Sequence, residues 1–335
     1  MRGRRNSKVP RTRAARSRDL SFWHSRLPEL VVALRRLRVG TFTPPLVLRV
    51  AQRLGRLSEA GLEVEEVAVV SSPAQFASLE AREFDVVFTS PDNVLAYRFL
   101  PDNPLSRLIN VKILAGIDRG LGLSLWTAPS VSGVANVAGS VVGVDVPQSG
   151  FAFVAFALLA REGLAPGQYA VESLGSTPRR AQMLIEGRCA ATILNAGNEL
   201  RAGGKGCHFV SGVSDLGPYL GTVLAALEDA SKSDVQARQR FVEVILATSR
   251  DLLSGELDDL GCEIASGALG LSNVEARSHL AVLKDPHNGL ILDGRLSLAA
   301  LRTLVDLRHE FRPSEALERV EASLGELAEP ALFVD

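Results

Sequence analysis

Apolar, strand-like runs alternate with helix starts along most of the chain, and this alternation limits the possible folds more than any other feature. Residues 37–42, 62–67, 84–88 and 111–117 form such runs, and prolines suited to a first helical turn follow the first three. Strands that alternate with helices are typical of a mostly parallel sheet covered by helices on both faces. The first third of the sequence therefore predicts an α/β unit.

A second unit of the same kind follows a Ser/Gly/Pro-rich connection at residues 127–139. Strands are predicted at residues 141–146, 169–174, 189–194 and 209–213, and helices are predicted at residues 151–161 and 178–186. From about residue 231 to about residue 312 the pattern is helical. We expect two α/β units of one architecture and a helical C-terminal segment.

The charge distribution separates the N-terminus from the rest of the chain. Residues 1–38 hold 12 Lys and Arg against two acidic residues, a net charge of +10, which leaves −11 for the remainder of a chain with net charge −1. A basic arm can bind nucleic acid or an anionic membrane, or it can be a disordered extension without a partner. Because no aromatic-interleaved patch or helix-turn-helix pattern accompanies the arm, we expect no nucleic-acid partner.

Two kinds of targeting segment are not predicted. The candidate for a signal sequence, residues 27–34, is short, contains Glu29 and runs into Arg35 and Arg36. No run approaches the length of about 20 apolar residues that a membrane helix needs. We therefore expect no export signal, which leaves a cytoplasmic location open.

Cysteines and histidines do not form a recognisable chemical site. Cys189, Cys207 and Cys262 are odd in number and lack metal-ligand spacing, so we expect neither a disulfide framework nor a metal site. The histidines, among them His279, stand beside no carboxylate cluster. We expect them to be structural.

Polar breaks follow the predicted strands and could form one ligand site. In open α/β sheets, helix N-termini and loop side chains converge at the carboxyl ends of the strands. Helix capping alone would explain several of these residues, including Ser72, Ser149 and Thr177. The stretch "FTSPDN", residues 88–93, is the clearest example of a strand that runs into a polar helix start.

Catalytic signatures are mostly missing from the sequence. There is no phosphate-binding glycine loop, nucleophile elbow or zinc-protease motif. Asp118, Asp145 and Glu199 could form an acid/base set, but solvation or capping explains each of them alone. No cofactor is predicted.

Three segments carry a resemblance to a known family. They are "LRVGTFTPPLVLRVAQRLGRLSEAGLEVEEV", "SSPAQFASLEAREFDVVFTSPDNVLAY" and the stretch from "VAGSVVGVDVPQSG" to "CAATILN". Their order is similar to that of type II periplasmic solute-binding proteins of the nitrate/sulfonate/taurine and thiamine-pyrimidine-precursor branch. The resemblance covers about residues 37–253.

This resemblance implies two doubly wound α/β lobes that close around a ligand through two crossing hinge segments, placed near residues 125–129 and 214–222. The domains would be a basic, disordered arm at residues 1–36, lobe 1 at 37–126 and 220–335 with the C-terminal helices, and lobe 2 at 127–219. Ligand contacts carried over from the resemblance are Thr41, Phe42, Ser72, Thr89, Ser90, Asn93, Asp118, Gln148, Ser149 and Asn195, to which Asp92, Glu199 and Tyr219 are added.

The resemblance favours a monomeric substrate-binding protein that captures a small polar or heteroaromatic metabolite for an ABC-type permease, in the periplasm or outside the cell. The alternative is a cytoplasmic biosynthetic enzyme on the same fold, related to thiamine-pyrimidine synthase or a lyase, in which Asp118 or Glu199 handles a proton. Acid and amide groups favour a ligand with hydrogen-bond donors, whereas Arg119 and the helix N-termini favour an anion.

Overall fold

The computed structural model describes residues 34–334. Most of the predicted basic arm lies outside these residues, although Arg35 and Arg36, assigned to the arm, already belong to the first strand. The strands are β1 Arg35–Thr41, β2 Leu62–Ala68, β3 Val86–Thr89, β4 Val111–Asp118, β5 Ser124–Thr127, β6 Val141–Val144, β7 Ala170–Ser173, β8 Ala191–Leu194, β9 His208–Gly212, β10 Thr222–Leu227, β11 Leu296–Ser297 and β12 Phe333–Val334.

Helices connect these strands and fill the C-terminal third of the chain. They are α1 Leu46–Arg53, α2 Arg56–Glu59, α3 Ser72–Glu80, α4 Pro91–Phe99, α5 Gly150–Arg161, α6 Thr177–Ile185, α7 Asn198–Gly203, α8 Lys232–Ser254, α9 Asp258–Leu269, α10 Asn273–Lys284, α11 Leu298–Phe311 and α12 Glu315–Ser323.

Two five-stranded sheets share one strand order. The first sheet runs β2-β1-β3-β10-β4 and the second runs β7-β6-β8-β5-β9. In each sheet the fourth strand in this order, β10 or β5, is antiparallel to its neighbours, and the described pairs among β1, β2 and β3 and among β6, β7 and β8 are parallel. The prediction of an α/β fold with two doubly wound units and C-terminal helices is confirmed.

The chain crosses between the sheets at two places that differ in part from the predicted hinge. The first crossing joins β4 to β5 through residues 119–123, whereas residues 125–127, predicted as hinge, are strand in the second sheet. Gly120, Leu121 and Gly122 have φ angles of 120°, 49° and 75°, which a strand does not accommodate. The first strand of the second sheet along the chain therefore starts at Ser124, three residues before the predicted lobe 2. The second crossing joins β9 to β10 through residues 213–221.

The C-terminal helices cover both sheets. Phe241 of α8 packs in one apolar cluster with Leu37 and Val39 of β1. Phe311 of α11 stacks on Phe153 of α5, next to the second sheet, with ring centroids 6.3 Å apart. The C-terminal segment thus holds the two halves of the molecule together and leaves the facing strand ends to form a cleft.

Candidate functional site

A cavity of about 110 Å³ lies where the strand ends of the two sheets face each other. The first sheet contributes residues after β1 and β3 and at the end of β4, and the second contributes residues after β6 and β8 and the starts of α5 and α6. The polar residues on its wall are Thr43, Thr89, Ser90, Asn93, Asp118, Asp145, Ser149, Thr177, Arg180, Asn195, Thr222 and His279. The cavity is thus enclosed by both halves of the molecule.

Serine side chains cap three of the helices that begin near the cleft. The Ser90 hydroxyl accepts from the Asp92 N–H at 3.2 Å, and the Ser149 hydroxyl accepts from the Ala152 N–H at 3.3 Å. Ser71 caps α3 in the same way. The capping that the sequence suggested for Ser149 is therefore present, whereas the N-caps of α3 and α6 are Ser71 and Ser176 and not Ser72 and Thr177. Ser90 and Ser149 also lie on the cavity wall.

Seven of the predicted site residues line the cavity. They are Phe42, Thr89, Ser90, Asn93, Asp118, Ser149 and Asn195. The two side-chain amides among them are held by protein contacts: the Asn93 amide donates to the Thr89 hydroxyl at 3.1 Å, and the Asn195 amide donates to the Gly120 carbonyl at 3.1 Å. These contacts fix the orientation of both amides.

The other six predicted site residues are not part of the cavity wall: Thr41, Ser72, Asp92, Gln148, Glu199 and Tyr219. The Thr41 hydroxyl donates to Glu66 at 2.9 Å, and Tyr219 is buried, with no hydrogen-bond partner for its hydroxyl among residues 34–334. Residues near a strand end contact the cleft only if their side chains point into the cleft. That direction could not be read from the sequence.

Asp92 is part of a buried ion pair. Both of its carboxylate oxygens accept from Arg308 of α11, the second at 2.8 Å, and the same guanidinium donates to the Gln148 carbonyl at 3.2 Å. The Arg308 guanidinium also lies 5.1 Å from the centre of the Phe153 ring. Asp92 and Gln148 thus join α4, α11 and the loop before α5, which explains the burial of Asp92 without a ligand.

Asp118 is an acid on the cavity wall that the protein itself stabilises. Burial raises its pKa to about 6, and donors at Thr222 and the Gly120 N–H, 2.8 Å from Oδ1, counteract that rise. The group is therefore largely ionised at pH 7. It ties the end of β4 to β10 and the first crossing.

Arg180 is the most important wall residue that the sequence did not reveal. It is buried, and its guanidinium donates to the Gly175 carbonyl, the Thr177 hydroxyl at 3.0 Å and the Ile193 carbonyl at 3.4 Å. Burial lowers its pKa to about 10, so it remains charged, and the nearby Asp145 opposes the shift. An arginine in the first turn of a helix is unfavourable for the helix dipole, and "STPRR" carried that signal.

Asp145, at the end of β6, connects the two sheets. Its Oδ2 accepts from the Ser72 N–H at the start of α3 at 3.1 Å. Its Oδ1 is buried and has no hydrogen-bond partner among residues 34–334, and no ion pair within 4.0 Å joins it to Arg180. One oxygen of this acid is therefore left for another molecule.

His279 of α10 lines the cavity and is buried. Desolvation lowers its pKa to about 4, so the imidazole is neutral at pH 7. Its Nδ1 has no hydrogen-bond partner within the described part of the chain. His279 was expected to be structural, and its burial agrees with that expectation, but its position also gives the cavity a neutral ring.

Glu199 is buried in α7 beside the first crossing, 3.2 Å from the position that a Cβ at Gly122 would take. No side chain among residues 34–334 donates to it, and burial raises its pKa to about 8, with the Gly197 and Glu199 N–H groups opposing the rise only in part. Glu199 is therefore mostly protonated at pH 7.

Further hydrogen bonds close the two halves over the cavity. The Asn198 amide donates to the Thr43 hydroxyl at 3.1 Å, and the Ser176 N–H donates to the Val70 carbonyl at 3.0 Å. Thr43 and Val70 follow strands of the first sheet, and Ser176 and Asn198 follow strands of the second. The structure therefore has a closed arrangement.

Two sheets of this shared order, with a cavity between their facing strand ends, define the fold of the periplasmic binding proteins. The structure is similar to that of the alkanesulfonate-binding protein SsuA from Xanthomonas axonopodis pv. citri bound to MOPS, with a TM-score of 0.65, 15% identity, and coverage of 83% of this chain and 93% of that chain. The structure is also similar to that of the periplasmic nitrate-binding protein NrtA from Synechocystis PCC 6803, with a TM-score of 0.74 and 11% identity. This match covers 89% of this chain and 87% of that chain.

A third similar structure is a conserved Candida albicans gene product with the generic periplasmic binding protein fold. Its TM-score is 0.68 at 15% identity, and the match covers 88% of this chain and 96% of that chain. No protein-family model and no curated protein sequence matches the chain. At these identities the likeness establishes the fold.

Within residues 34–334, no helix combines the length and the apolar character that a membrane span requires. The same residues contain no cluster of three or more His, Cys, Asp or Glu side chains placed to hold a metal ion.

Proposed function

We propose that the chain is a substrate-binding protein that captures a small polar or heteroaromatic metabolite in the cavity between the two sheets. The observation that carries this proposal is the cavity itself, whose wall combines strand ends of both sheets with Asp145, a residue whose buried Oδ1 lacks a partner among residues 34–334. A buried acceptor of this kind is costly unless a ligand or water supplies a donor.

The size of the cavity favours a small ligand. A cavity of about 150 Å³ is known to bind benzene, so the 110 Å³ found here suits a molecule no larger than a single small ring. Phe42 and Phe151 on the wall offer apolar faces to such a ring. The names of the alkanesulfonate- and nitrate-binding proteins of the same fold also indicate small ligands.

The crossings at residues 119–123 and 213–221 are the proposed hinge. A ligand that contacts both halves stabilises the closed state through those contacts, and its loss would let the halves separate. A staphylococcal protein of similar fold is the ligand-binding component of an ABC-type import system. We therefore propose a membrane permease as partner and a location in the periplasm or outside the cell for this chain, which we propose to be a monomer.

Asp118 favours a second candidate function, a cytoplasmic biosynthetic enzyme. Its pKa of about 6 and its place on the cavity wall suit proton transfer near neutral pH. Glu199, the other acid considered for this role, is not on the wall. If Asp118→Asn leaves turnover of every bound compound unchanged, this candidate fails.

A thermal-shift screen of the full chain tests the binding role. The panel contains thiamine precursors, sulfonates, nitrate, nucleobases and amino acids. A ligand at 100 times its dissociation constant adds about 2.7 kcal/mol to the free energy of unfolding, which raises the melting temperature measurably. Mass spectrometry of the recovered compound separates binding, which leaves it unchanged, from turnover.

Two matched variants locate the binding site. Asn93→Leu fills the cavity wall with an apolar side chain, whereas Asn136→Leu makes the same change at an exposed position. We expect Asn93→Leu to abolish the shift and Asn136→Leu to preserve it. A shift that survives Asn93→Leu, or a panel without any shift, would contradict the proposed site.

A further inference from the structure

The charges on the cavity wall have an excess of negative sign. Among residues 34–334, Asp118 and Asp145 face the cavity together with a single cation, Arg180, while His279 is neutral at pH 7. All four side chains are buried, where charges interact more strongly than in water. An anionic ligand would thus add a negative charge beside two carboxylates.

Arg180 is a poor receptor for an oxyanion because both of its terminal nitrogens already donate within the protein. The acceptors are the Gly175 and Ile193 carbonyls and the Thr177 hydroxyl. Bidentate recognition of a carboxylate, sulfonate or nitrate needs two free N–H groups on one edge of the guanidinium. Of its five N–H groups, that on Nε and one on Nη1 lack an acceptor among the described residues, and these two do not share an edge of the guanidinium.

Three helix starts near the cavity are also occupied by the protein. Asp145 accepts from the Ser72 N–H at the start of α3, so a carboxylate of the protein holds the position that an anion would take. Ser90 and Ser149 cap α4 and α5. The starts of α3, α4 and α5 are therefore already in use, whereas those of α1 and α6, which also lie on the wall, have no side-chain cap.

The carboxylate oxygen Oδ1 of Asp145 is a hydrogen-bond acceptor without a donor among the described residues. Asp145 is 8% exposed, its Oδ1 is buried without a partner, and the residue lines the cavity. A carboxylate oxygen in this state is satisfied by an N–H donor. We infer that the cavity selects an uncharged or cationic molecule that presents an N–H group to Asp145, as amides, amidines and amino-substituted rings do, and that it rejects oxyanions.

This inference rests on the proposed binding role and names the chemical class of its ligand. Phe42 and Phe151 can contact the apolar part of such a molecule, and the free Nε of Arg180 can donate to an acceptor beside its N–H group. Asp145 then determines specificity. In this respect the cavity differs from what the names of the sulfonate- and nitrate-binding proteins of the same fold imply.

Three probes of one shape test the inference: acetamidinium, acetamide and acetate, which are planar and differ in charge and in their N–H donors. Their binding to the full chain is measured by calorimetry and ligand-observed NMR at constant ionic strength, up to about 50 mM because such small molecules bind weakly. We expect acetamide and acetamidinium to bind at least about tenfold more tightly than acetate.

The variant Asp145→Asn provides the critical comparison. It keeps an oxygen for the Ser72 N–H and replaces the free acceptor by an amide donor. We expect it to weaken acetamide and acetamidinium binding by about tenfold and to strengthen acetate binding. Asp306→Asn, the same change at an exposed position of α11, should leave all three affinities unchanged.

Two results would overturn the inference. Tighter binding of acetate than of acetamide by the unmodified chain would show an oxyanion site, with the proposed binding role intact. Binding of none of the three probes would also reject the inference, and the metabolite screen would then decide separately whether the chain is a binding protein.

Discussion

Two buried aspartates show how differently similar positions can be used. Asp92 follows a strand of the first sheet, and both of its oxygens are bonded to Arg308. Asp145 follows a strand of the second sheet, bonds the Ser72 N–H through one oxygen, and leaves the other without a partner although Arg180 is near. A complete set of partners marks a structural acid, and an incomplete set marks a candidate ligand contact.

The largest expected effect comes from breaking the complete pair. Arg308→Met leaves Asp92 buried without its partner, which should lower the free energy of unfolding by about 3–5 kcal/mol. Urea denaturation of the full chain measures this loss. The double variant Asp92→Leu, Arg308→Met removes both charges and should recover much of the stability. A loss below about 1 kcal/mol for Arg308→Met would mean that the pair is not structural.

Glu199 sharpens the comparison because no arginine among residues 34–334 donates a hydrogen bond to its carboxyl group. Its folded pKa of about 8 exceeds the unfolded value of about 4.3, so the folded state binds more protons and stability falls as pH rises between these values. We expect Glu199→Gln to remove this decline, with a gain over the unmodified chain that grows to a few kcal/mol by pH 8, at ~1.4 kcal/mol per pKa unit.

Melting temperatures from pH 5 to pH 9 check this prediction. The pKa values of Asp118 and His279 also change on folding. Because both residues are present in the unmodified chain and in Glu199→Gln, the difference between the two curves reports Glu199. Glu162→Gln, an exposed matched change, should leave the pH dependence unchanged. Parallel curves for the unmodified chain and Glu199→Gln would contradict the assignment.

Asp145→Asn should have the smallest effect on stability. The variant keeps the acceptor for Ser72 and replaces the oxygen that has no donor among residues 34–334 by an amide group of similar size, so we expect a change in the free energy of unfolding of no more than about 1 kcal/mol. The same urea experiment measures it. A loss as large as that of Arg308→Met would show that Asp145 is a structural acid like Asp92.

Much of the fold could be predicted because parallel strands and helices leave strong local patterns. The run "DVVFTSPDN" correctly marks a strand, its end and the helix that follows. Strand β10 was missed, since "TVLAAL" mixes Ala and Leu, which have little preference for strands, with only two β-branched residues. Its place between β3 and β4 depends on tertiary pairing.

The candidate site was harder to predict, because it depends on the direction of side chains. Ser90 and Asp92 are neighbours in sequence, yet Ser90 lines the cavity and Asp92 turns towards Arg308, more than 200 residues away. No local sequence pattern indicates that Arg308 is the partner of Asp92. Arg180 was overlooked and His279 was interpreted as structural for the same reason, since only the folded chain brings them to strand ends of other elements.

The strand order also constrains how the molecule is made. All five strands of the second sheet lie within residues 124–212, whereas the first sheet needs β10, at residues 222–227, between β3 and β4. A chain emerging from the ribosome can therefore complete its second sheet before its first, although the first begins nearer the N-terminus. Until β10 is synthesised, β3 and β4 have exposed edges that invite pairing with other chains.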